Sequence, residues 1–112
     1  MSQIKRIGMV IKVKPEKLDL YKQLHADDYE GVRDLLSKYN MRNFSIFLHR
    51  LEDGQSYLFG TYEYVGENYE EDMALLDKEP RNIEWLKVTD DCQTPLKGEA
   101  GWAVMEQVYF NA

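Results

Sequence analysis

The spacing of apolar residues changes along this chain, and the order of the changes restricts the fold. Over residues 4–14, apolar side chains alternate with polar or small ones, and this period of two predicts a half-buried strand. Pro15 ends the strand and suits the first turn of a helix. Apolar residues then recur at spacings of three, four and seven, which predicts one helix reaching to about Tyr39 with Gly31 inside it.

The rest of the chain predicts a hairpin, two helices and a final strand. The hairpin strands cover residues 41–49 and 56–65 and flank an Asp-Gly turn signal. An acidic helix is predicted over residues 67–78, followed after Pro80 by a shorter helix that carries Trp85 and Leu86. Residues 89–101 indicate a loop, and residues 102–110 the last strand.

The element order is therefore β-α-β-β-α-β. This order predicts a single α+β domain over residues 1–112, with a ferredoxin-like split βαβ antiparallel sheet and helices on one face. Such a sheet leaves its other face open, and a ligand pocket or a second subunit must cover it. Because homodimers are the commonest oligomers, we predict a dimer of the α/β-barrel type in which two sheets enclose the cavity.

Charge and cysteine content exclude several classes of function. Fourteen Lys and Arg oppose twenty Asp and Glu, and this net charge of -6 disfavours nucleic acid and anionic membranes as partners. No segment approaches the roughly 18 apolar residues of a membrane span. The single cysteine, Cys92, leaves no disulfide or multi-cysteine metal site within the chain. Residues 1–8 contain two basic residues, and no uninterrupted apolar run follows them, so we expect no secretory signal and a cytoplasmic location.

His25 is the titratable residue whose position stands out. It lies seven residues from both Leu18 and Val32 on the inward helix stripe, one turn after Tyr21. An imidazole there could exchange protons near neutral pH, although a hydrogen-bonded structural histidine has the same pattern. His49 is expected to be exposed, and two histidines give weak support for a metal site.

Large aromatic residues and acidic runs allow a structural and a functional interpretation. For Trp102 we favour the core, whereas Trp85 could equally fill the core or stack on a ligand. The acidic run around Glu70 is typical of a solvated helix face. Cys92 has no adjacent basic residue to stabilise a thiolate, so a catalytic cysteine is not expected.

Several segments together resemble the L-rhamnose mutarotase family. The similar segments cover residues 16–25, 42–48 and 102–109, together with Trp85 and the Cys92-Gln93 pair. The resemblance spans essentially the whole chain. It implies an isomerase that interconverts the α and β anomers of L-rhamnose by acid–base ring opening and reclosure, with no metal and no organic cofactor. It also implies a ferredoxin-like dimer.

The resemblance assigns roles to five residues. His25 matches the family's proton donor, and Tyr21 matches a tyrosine that contacts the sugar. Phe44 stands where the family has a sugar-binding tyrosine, and Trp85-Leu86 where it has a tryptophan pair. The expected site is therefore catalytic His25 with substrate-binding Tyr21, Phe44, Trp85 and Leu86.

The two departures at Phe44 and Leu86 leave alternatives open. One is a mutarotase for another 6-deoxy-sugar such as L-fucose, and another is a non-catalytic sugar-binding homologue. A third, by fold analogy alone, is a monooxygenase of the dimeric α/β-barrel type. For the second proton-transfer group, Glu106 and the Asp27-Asp28 pair are the candidates.

Overall fold

A computed structural model describes residues 4–112 of the chain. The first three residues of the segment considered above for a secretory signal lie outside this range. The elements, in chain order, are β1 (Lys5–Val13), a 3-10 turn (Pro15–Lys17), α1 (Leu18–Leu24), α2 (Arg33–Lys38), β2 (Met41–Arg50), β3 (Ser56–Tyr64), α3 (Tyr69–Lys78), α4 (Pro80–Cys92), β4 (Gln93–Thr94) and β5 (Ala103–Met105). Within residues 4–112, none of these helices has the length and apolar content needed to cross a membrane.

The strands form one antiparallel sheet in the order β2-β3-β1-β4, with β5 also paired to β1. Two pairs across β1 and β3, Ile7 with Tyr62 and Ile11 with Leu58, define the register. The predicted α+β fold class and the ferredoxin-like strand arrangement are confirmed.

The core lies between one face of the sheet and the helices. Alternate residues of β1, including Ile11 and Val13, are buried there with residues of β3 and of all four helices. Each fully buried Ile or Leu contributes on the order of 1.5–3 kcal/mol to the stability of the fold. At the end of α4, Cys92 is fully buried in this core.

A bulge in β2 sets which of its side chains face the core. The pairing with β3 shifts between Arg42 and Ser45, and Asn43 adopts a left-handed φ of 53°. Met41 and Phe44 are three residues apart, yet the bulge allows both to pack into the same apolar cluster. The bulge thereby brings Phe44 to the helix side of the sheet.

The predicted single helix up to Tyr39 is wrong, because α1 ends at Leu24 and α2 begins at Arg33. The His25 backbone N–H donates to the Lys22 carbonyl instead of the Tyr21 carbonyl, which is the acceptor in a continuing helix. The His25 ring is hydrogen-bonded to the Tyr21 carbonyl in its place. Gly31 has a φ of +56°, which lies in the left-handed region outside any right-handed helix. Residues 25–32 are therefore a loop.

The predictions for the last third of the chain also need correction. Helix α4 continues to Cys92, so the loop expected over residues 89–101 begins later and is preceded by β4. Packing of Thr89 and Cys92 into the interior explains the longer helix, since tertiary burial outweighs local propensity. The final strand covers only Ala103–Met105 and not the predicted residues 102–110. Beyond this strand, the tail contacts β1 through a side chain, because the Arg6 guanidinium lies 3.6 Å from the centroid of the Phe110 ring.

A hydrogen-bonded cluster joins the ends of β3, α2 and α3. The Asp72 carboxylate accepts hydrogen bonds from the Tyr64 hydroxyl and from Asn40 Nδ2, the latter at 2.9 Å. The Asn68 N–H donates to the Tyr64 hydroxyl oxygen at 3.0 Å. Gly66 lies against this cluster, where a Cβ atom would approach Asn40 Nδ2 to 2.6 Å and would also collide with the Tyr64 ring.

We predict that Gly66→Ala lowers the free energy of unfolding by about 1–3 kcal/mol, because the tethered Tyr64 and Asn40 side chains cannot move aside freely. Urea denaturation measures the change. Gly101→Ala is the matched control, since a Cβ there meets nothing within 4 Å, and we expect a change within about 0.5 kcal/mol. Equal effects at the two glycines would contradict the packing argument.

Candidate active site

A cavity of about 540 Å³ lies between the core face of the sheet and the helices. The prediction that two sheets enclose the cavity is therefore wrong, because helices and one sheet of the same chain surround it. Its size suits a small molecule. The cavity is lined by all five residues expected to form the site: Tyr21, His25, Phe44, Trp85 and Leu86. The structure therefore brings together side chains from α1, β2 and α4 and from the loop after α1.

Helix α1 and its end position the two residues with titratable groups. Tyr21 and His25 are four residues apart, so they lie one above the other, and their rings stack with centroids 4.1 Å apart. His25 Nδ1 is 2.7 Å from the Tyr21 carbonyl oxygen. Because a carbonyl can only accept, Nδ1 carries the proton, and the Nε2 atom of the neutral ring has its lone pair available.

The environment of His25 favours the neutral ring. Burial lowers the pKa of His25 below its ordinary value of 6.5. The hydrogen bond to the Tyr21 carbonyl raises the pKa, while the positive charge of Arg33 lowers it further. At neutral pH the resting imidazole is therefore a proton acceptor.

Arg33, at the start of α2, fastens the loop that carries His25. Its guanidinium donates hydrogen bonds to the carbonyl oxygens of His25 at 3.1 Å, Ala26 at 3.0 Å and Tyr29 at 2.5 Å. These carbonyls follow the end of α1 and have no helical partners. Sequence reasoning missed this role, because it placed the whole segment in one helix.

Trp85 forms the part of the cavity wall next to the stacked pair. Its ring contacts the edge of the His25 ring at a centroid distance of 5.2 Å and lies 6.1 Å from the Tyr29 ring. A Cβ on Gly31 would be 3.4 Å from the Trp85 ring, so the loop approaches this side chain closely. Leu86, which is 39% exposed, lies beside it at the rim.

The sheet supplies an apolar wall. Phe44 stacks on Tyr62 with centroids 5.0 Å apart. The Tyr62 hydroxyl is hydrogen-bonded to the Tyr69 hydroxyl at 2.6 Å, which occupies the polar end of that ring. This side of the cavity consequently offers carbon surface rather than hydrogen bonds.

Three buried polar residues that sequence reasoning missed also line the cavity: Asn82, Thr89 and Gln93. Gln93 Nε2 donates to the Tyr21 hydroxyl oxygen at 3.2 Å, and Asn82 Nδ2 donates to the Leu76 carbonyl at 3.3 Å. Asn82 and Thr89 share the helical face of Trp85, at spacings of three and four. That periodicity could have revealed them if the helix had been extended to Cys92.

Other candidates lie elsewhere. His49 is exposed on β2, and Asp27 and Asp28 are exposed and do not line the cavity. Glu106 lines a separate cavity beneath the C-terminal tail. Burial raises the pKa of the Cys92 thiol, which agrees with an unreactive cysteine.

Trp102 and the acidic helix α3 each differ in one respect from the sequence prediction. Trp102 is half-buried against the core, as favoured, but it also lines the cavity. The acidic residues of α3 are mainly exposed, whereas Asp72 is half-buried in its hydrogen-bonded cluster. The cavity as a whole combines aromatic walls, the His25 imidazole, a few fixed polar groups and the charged residues Glu30, Arg33 and Asp77, which suits a small polyhydroxylated molecule.

Comparisons with solved structures identify the fold. An L-rhamnose mutarotase from Formosa agariphila matches with a TM-score of 0.69 and 17% identity, covering 96% of this chain and 99% of that one. A protein described as an antibiotic biosynthesis monooxygenase from Nitrosomonas europaea matches with a TM-score of 0.55 and 13% identity, covering 97% and 94%. A second antibiotic biosynthesis monooxygenase has a TM-score of 0.52 and 12% identity, covering 96% and 100%. At these identities the likeness shows the fold alone.

Sequence comparisons decide the family. No curated protein matches the chain significantly. The family model for L-rhamnose mutarotase, in contrast, matches residues 6–110, which is nearly the whole chain. The chain therefore belongs to the L-rhamnose mutarotase family, isomerases that interconvert the anomers of a carbohydrate.

Proposed function

We propose that this cavity catalyses the mutarotation of L-rhamnose with His25 as the acid–base group. The observation that carries the proposal is the His25 ring itself. Its Nδ1 proton is committed to the Tyr21 carbonyl at 2.7 Å, and its Nε2 atom is left for a molecule in the cavity. Family membership supplies the reaction.

The chemistry asks for little more than proton transfer. A proton leaves the anomeric hydroxyl and one reaches the ring oxygen, the ring opens to the aldehyde, the C1–C2 bond turns, and the ring closes on the other face. Positioned acid–base groups increase the rate of such a reaction by roughly 10²- to 10⁴-fold. A neutral His25 can accept the anomeric proton and return it after the turn.

The other four residues shape the pocket around the sugar. Tyr21 provides a hydroxyl, and Trp85 provides a ring face for the C–H surface of the pyranose. Phe44 and Leu86 contribute apolar contacts. A 6-deoxy-sugar carries a methyl group in place of a hydroxymethyl group, and the Phe44–Tyr62 wall fits such a group without an unpaired hydroxyl.

The open face of the sheet supports a homodimer. Val10, Phe59 and Phe47 form a row across three strands on the side away from the helices, and Phe47 is 63% exposed. Val108 and Tyr109 of the tail are also largely exposed. An exposed apolar row of this kind is typical of a protein interface, and a second copy can present the same row in a two-fold arrangement.

The cysteine supports a cytoplasmic location. Cys92 is a free thiol with no exposed surface, and it packs in the core rather than in a disulfide. A fold with this arrangement needs no oxidising compartment. We therefore infer that the protein works in the reducing cytoplasm.

We predict that His25→Ala lowers kcat for L-rhamnose anomer exchange by about 10²–10⁴, because the proton acceptor is lost. Saturation-transfer NMR between the two anomeric protons measures the exchange. His49→Ala is the matched control, since this exposed histidine lies outside the cavity, and it should retain wild-type exchange. Unchanged exchange in His25→Ala would contradict the role, and faster exchange of L-fucose than of L-rhamnose would contradict the substrate.

The activity should also depend on pH in a defined direction. Since the pKa of His25 is lowered, the ring stays neutral until the pH falls below 6.5, and only then does protonation remove the acceptor. We expect kcat/KM to fall in acid with a midpoint below 6.5. The His49→Ala variant should keep this midpoint. A midpoint at or above 6.5 would show that the burial of His25 and the charge of Arg33 do not control the reaction.

A fourth prediction concerns the oligomeric state. Phe47→Glu places a charge in the apolar row of the open face and should convert the dimer to a monomer, because two such charges would be buried together. Light scattering coupled to size exclusion measures the mass. Leu75→Glu is the matched control on exposed α3 and should leave the dimer intact. A monomeric wild-type protein at micromolar concentration would contradict the dimer.

A further inference from the structure

We propose that the Tyr21 hydroxyl is the second proton-transfer group of the reaction, and that Gln93 directs the hydroxyl proton into the cavity. The inference rests on the proposed function, and it supplies the partner that His25 requires. It makes Gln93 a positioning residue, acting through Tyr21 rather than on the sugar.

The hydrogen bond between the two side chains has a defined polarity. Gln93 Nε2 donates to the Tyr21 hydroxyl oxygen at 3.2 Å, and the two residues are only 5% and 4% exposed. An amide N–H can only donate, so the tyrosine proton must be directed elsewhere. Within residues 4–112, no protein acceptor takes that proton, and both residues line the cavity. A molecule in the cavity is the acceptor that remains.

The main chain holds Gln93 in place. Gln93 is the first residue of β4 and pairs with Val13 of β1. The preceding residue, Cys92, is fully buried, and its carbonyl accepts a hydrogen bond from the Lys14 N–H at 2.8 Å. Anchored on both sides, the Gln93 amide is oriented before any sugar binds, which is how positioned groups gain catalytic effect.

The proton balance closes with these two groups. His25 Nε2 takes the proton of the anomeric hydroxyl, the C1–O bond to the ring oxygen breaks as the C1 carbonyl forms, and the ring oxygen takes the proton of the Tyr21 hydroxyl. The open-chain aldehyde then faces an imidazolium and a tyrosinate. After the C1–C2 bond turns, the tyrosinate recovers its proton from the attacking hydroxyl, and the imidazolium returns its proton to the new anomeric oxygen.

The surroundings suit both states of Tyr21. Burial raises the pKa of Tyr21 to about 12, so the resting hydroxyl is protonated and can donate. The Gln93 hydrogen bond acts in the opposite direction and stabilises the tyrosinate. The His25 ring, stacked at 4.1 Å, is positively charged when the tyrosine is negative, which stabilises the pair of charges together.

A double-mutant cycle tests the inference, with L-rhamnose anomer exchange measured for the wild type, Gln93→Met, Tyr21→Phe and the double variant. Methionine keeps the shape of Gln93 without the N–H. We expect Gln93→Met to lower kcat roughly 10-fold with little change in KM, and Tyr21→Phe to lower it roughly 100-fold. The double variant should be no slower than Tyr21→Phe, because Gln93 acts through the hydroxyl.

Gln93→Glu separates direction from mere bonding. A carboxyl group can still bond to Tyr21, but a carboxylate accepts the tyrosine proton and turns it away from the cavity. We expect kcat to fall at least as far as in Gln93→Met. Wild-type kcat in Gln93→Glu or in Gln93→Met would overturn the inference, as would an equal Gln93→Met effect in the Tyr21→Phe background.

An NMR readout keeps the test independent of activity. The side-chain amide protons of Gln93 should shift in Tyr21→Phe, because the acceptor oxygen is gone, and unshifted protons would overturn the inference. Urea denaturation of each variant confirms folding. An active wild type with unaffected Gln93 variants overturns this inference alone, whereas a wild type without exchange above buffer overturns the proposed function with it.

Discussion

Strand β1 pairs along both of its edges, with β3 on one side and with β4 and β5 on the other, and the remaining structure depends on its register. Because side chains alternate along a strand, a slip of one residue would move Ile7 and Ile11 to the open face. The same pairing places Gln93 opposite Val13, within reach of Tyr21. Core packing and the polar end of the cavity therefore follow from one set of backbone hydrogen bonds.

At the end of α1, one hydrogen bond both ends the helix and orients the His25 ring. The His25 ring bonds to the Tyr21 carbonyl, which a continuing helix would have used, and this bond leaves the Nε2 lone pair available for the proposed proton transfer. Arg33 then satisfies the carbonyls of His25, Ala26 and Tyr29. The helix break that sequence periodicity concealed is the feature that creates the loop over the cavity.

Local pattern predicted what depends on neighbours in the chain. Strand alternation located β1, β2 and β3 to within one or two residues, and the motif singled out Tyr21 and His25, which both line the cavity. The sequence pattern gave wrong element boundaries where contacts between distant residues determine the length of a helix or strand. Thr89 and Cys92 lengthen α4 because they are buried, and the tail beyond Met105 leaves the sheet. The strand and helix periodicities cannot predict such burial, since the burial depends on residues far away in the chain.

The sequence by itself determined the α+β class with its β-α-β-β-α-β plan, the family, and five of the side chains that line the cavity. Tertiary structure alone decided which atoms of those side chains are hydrogen-bonded within the protein and which can contact a molecule in the cavity. Three observations depend on three-dimensional placement. The Nδ1 atom of His25 is hydrogen-bonded to the Tyr21 carbonyl, and Arg33 lies near enough to lower the pKa of His25. Gln93 donates a hydrogen bond to Tyr21, which is 72 positions away in the chain. The physical reason is that hydrogen bonds and desolvation act over a few ångströms, whatever the distance along the chain.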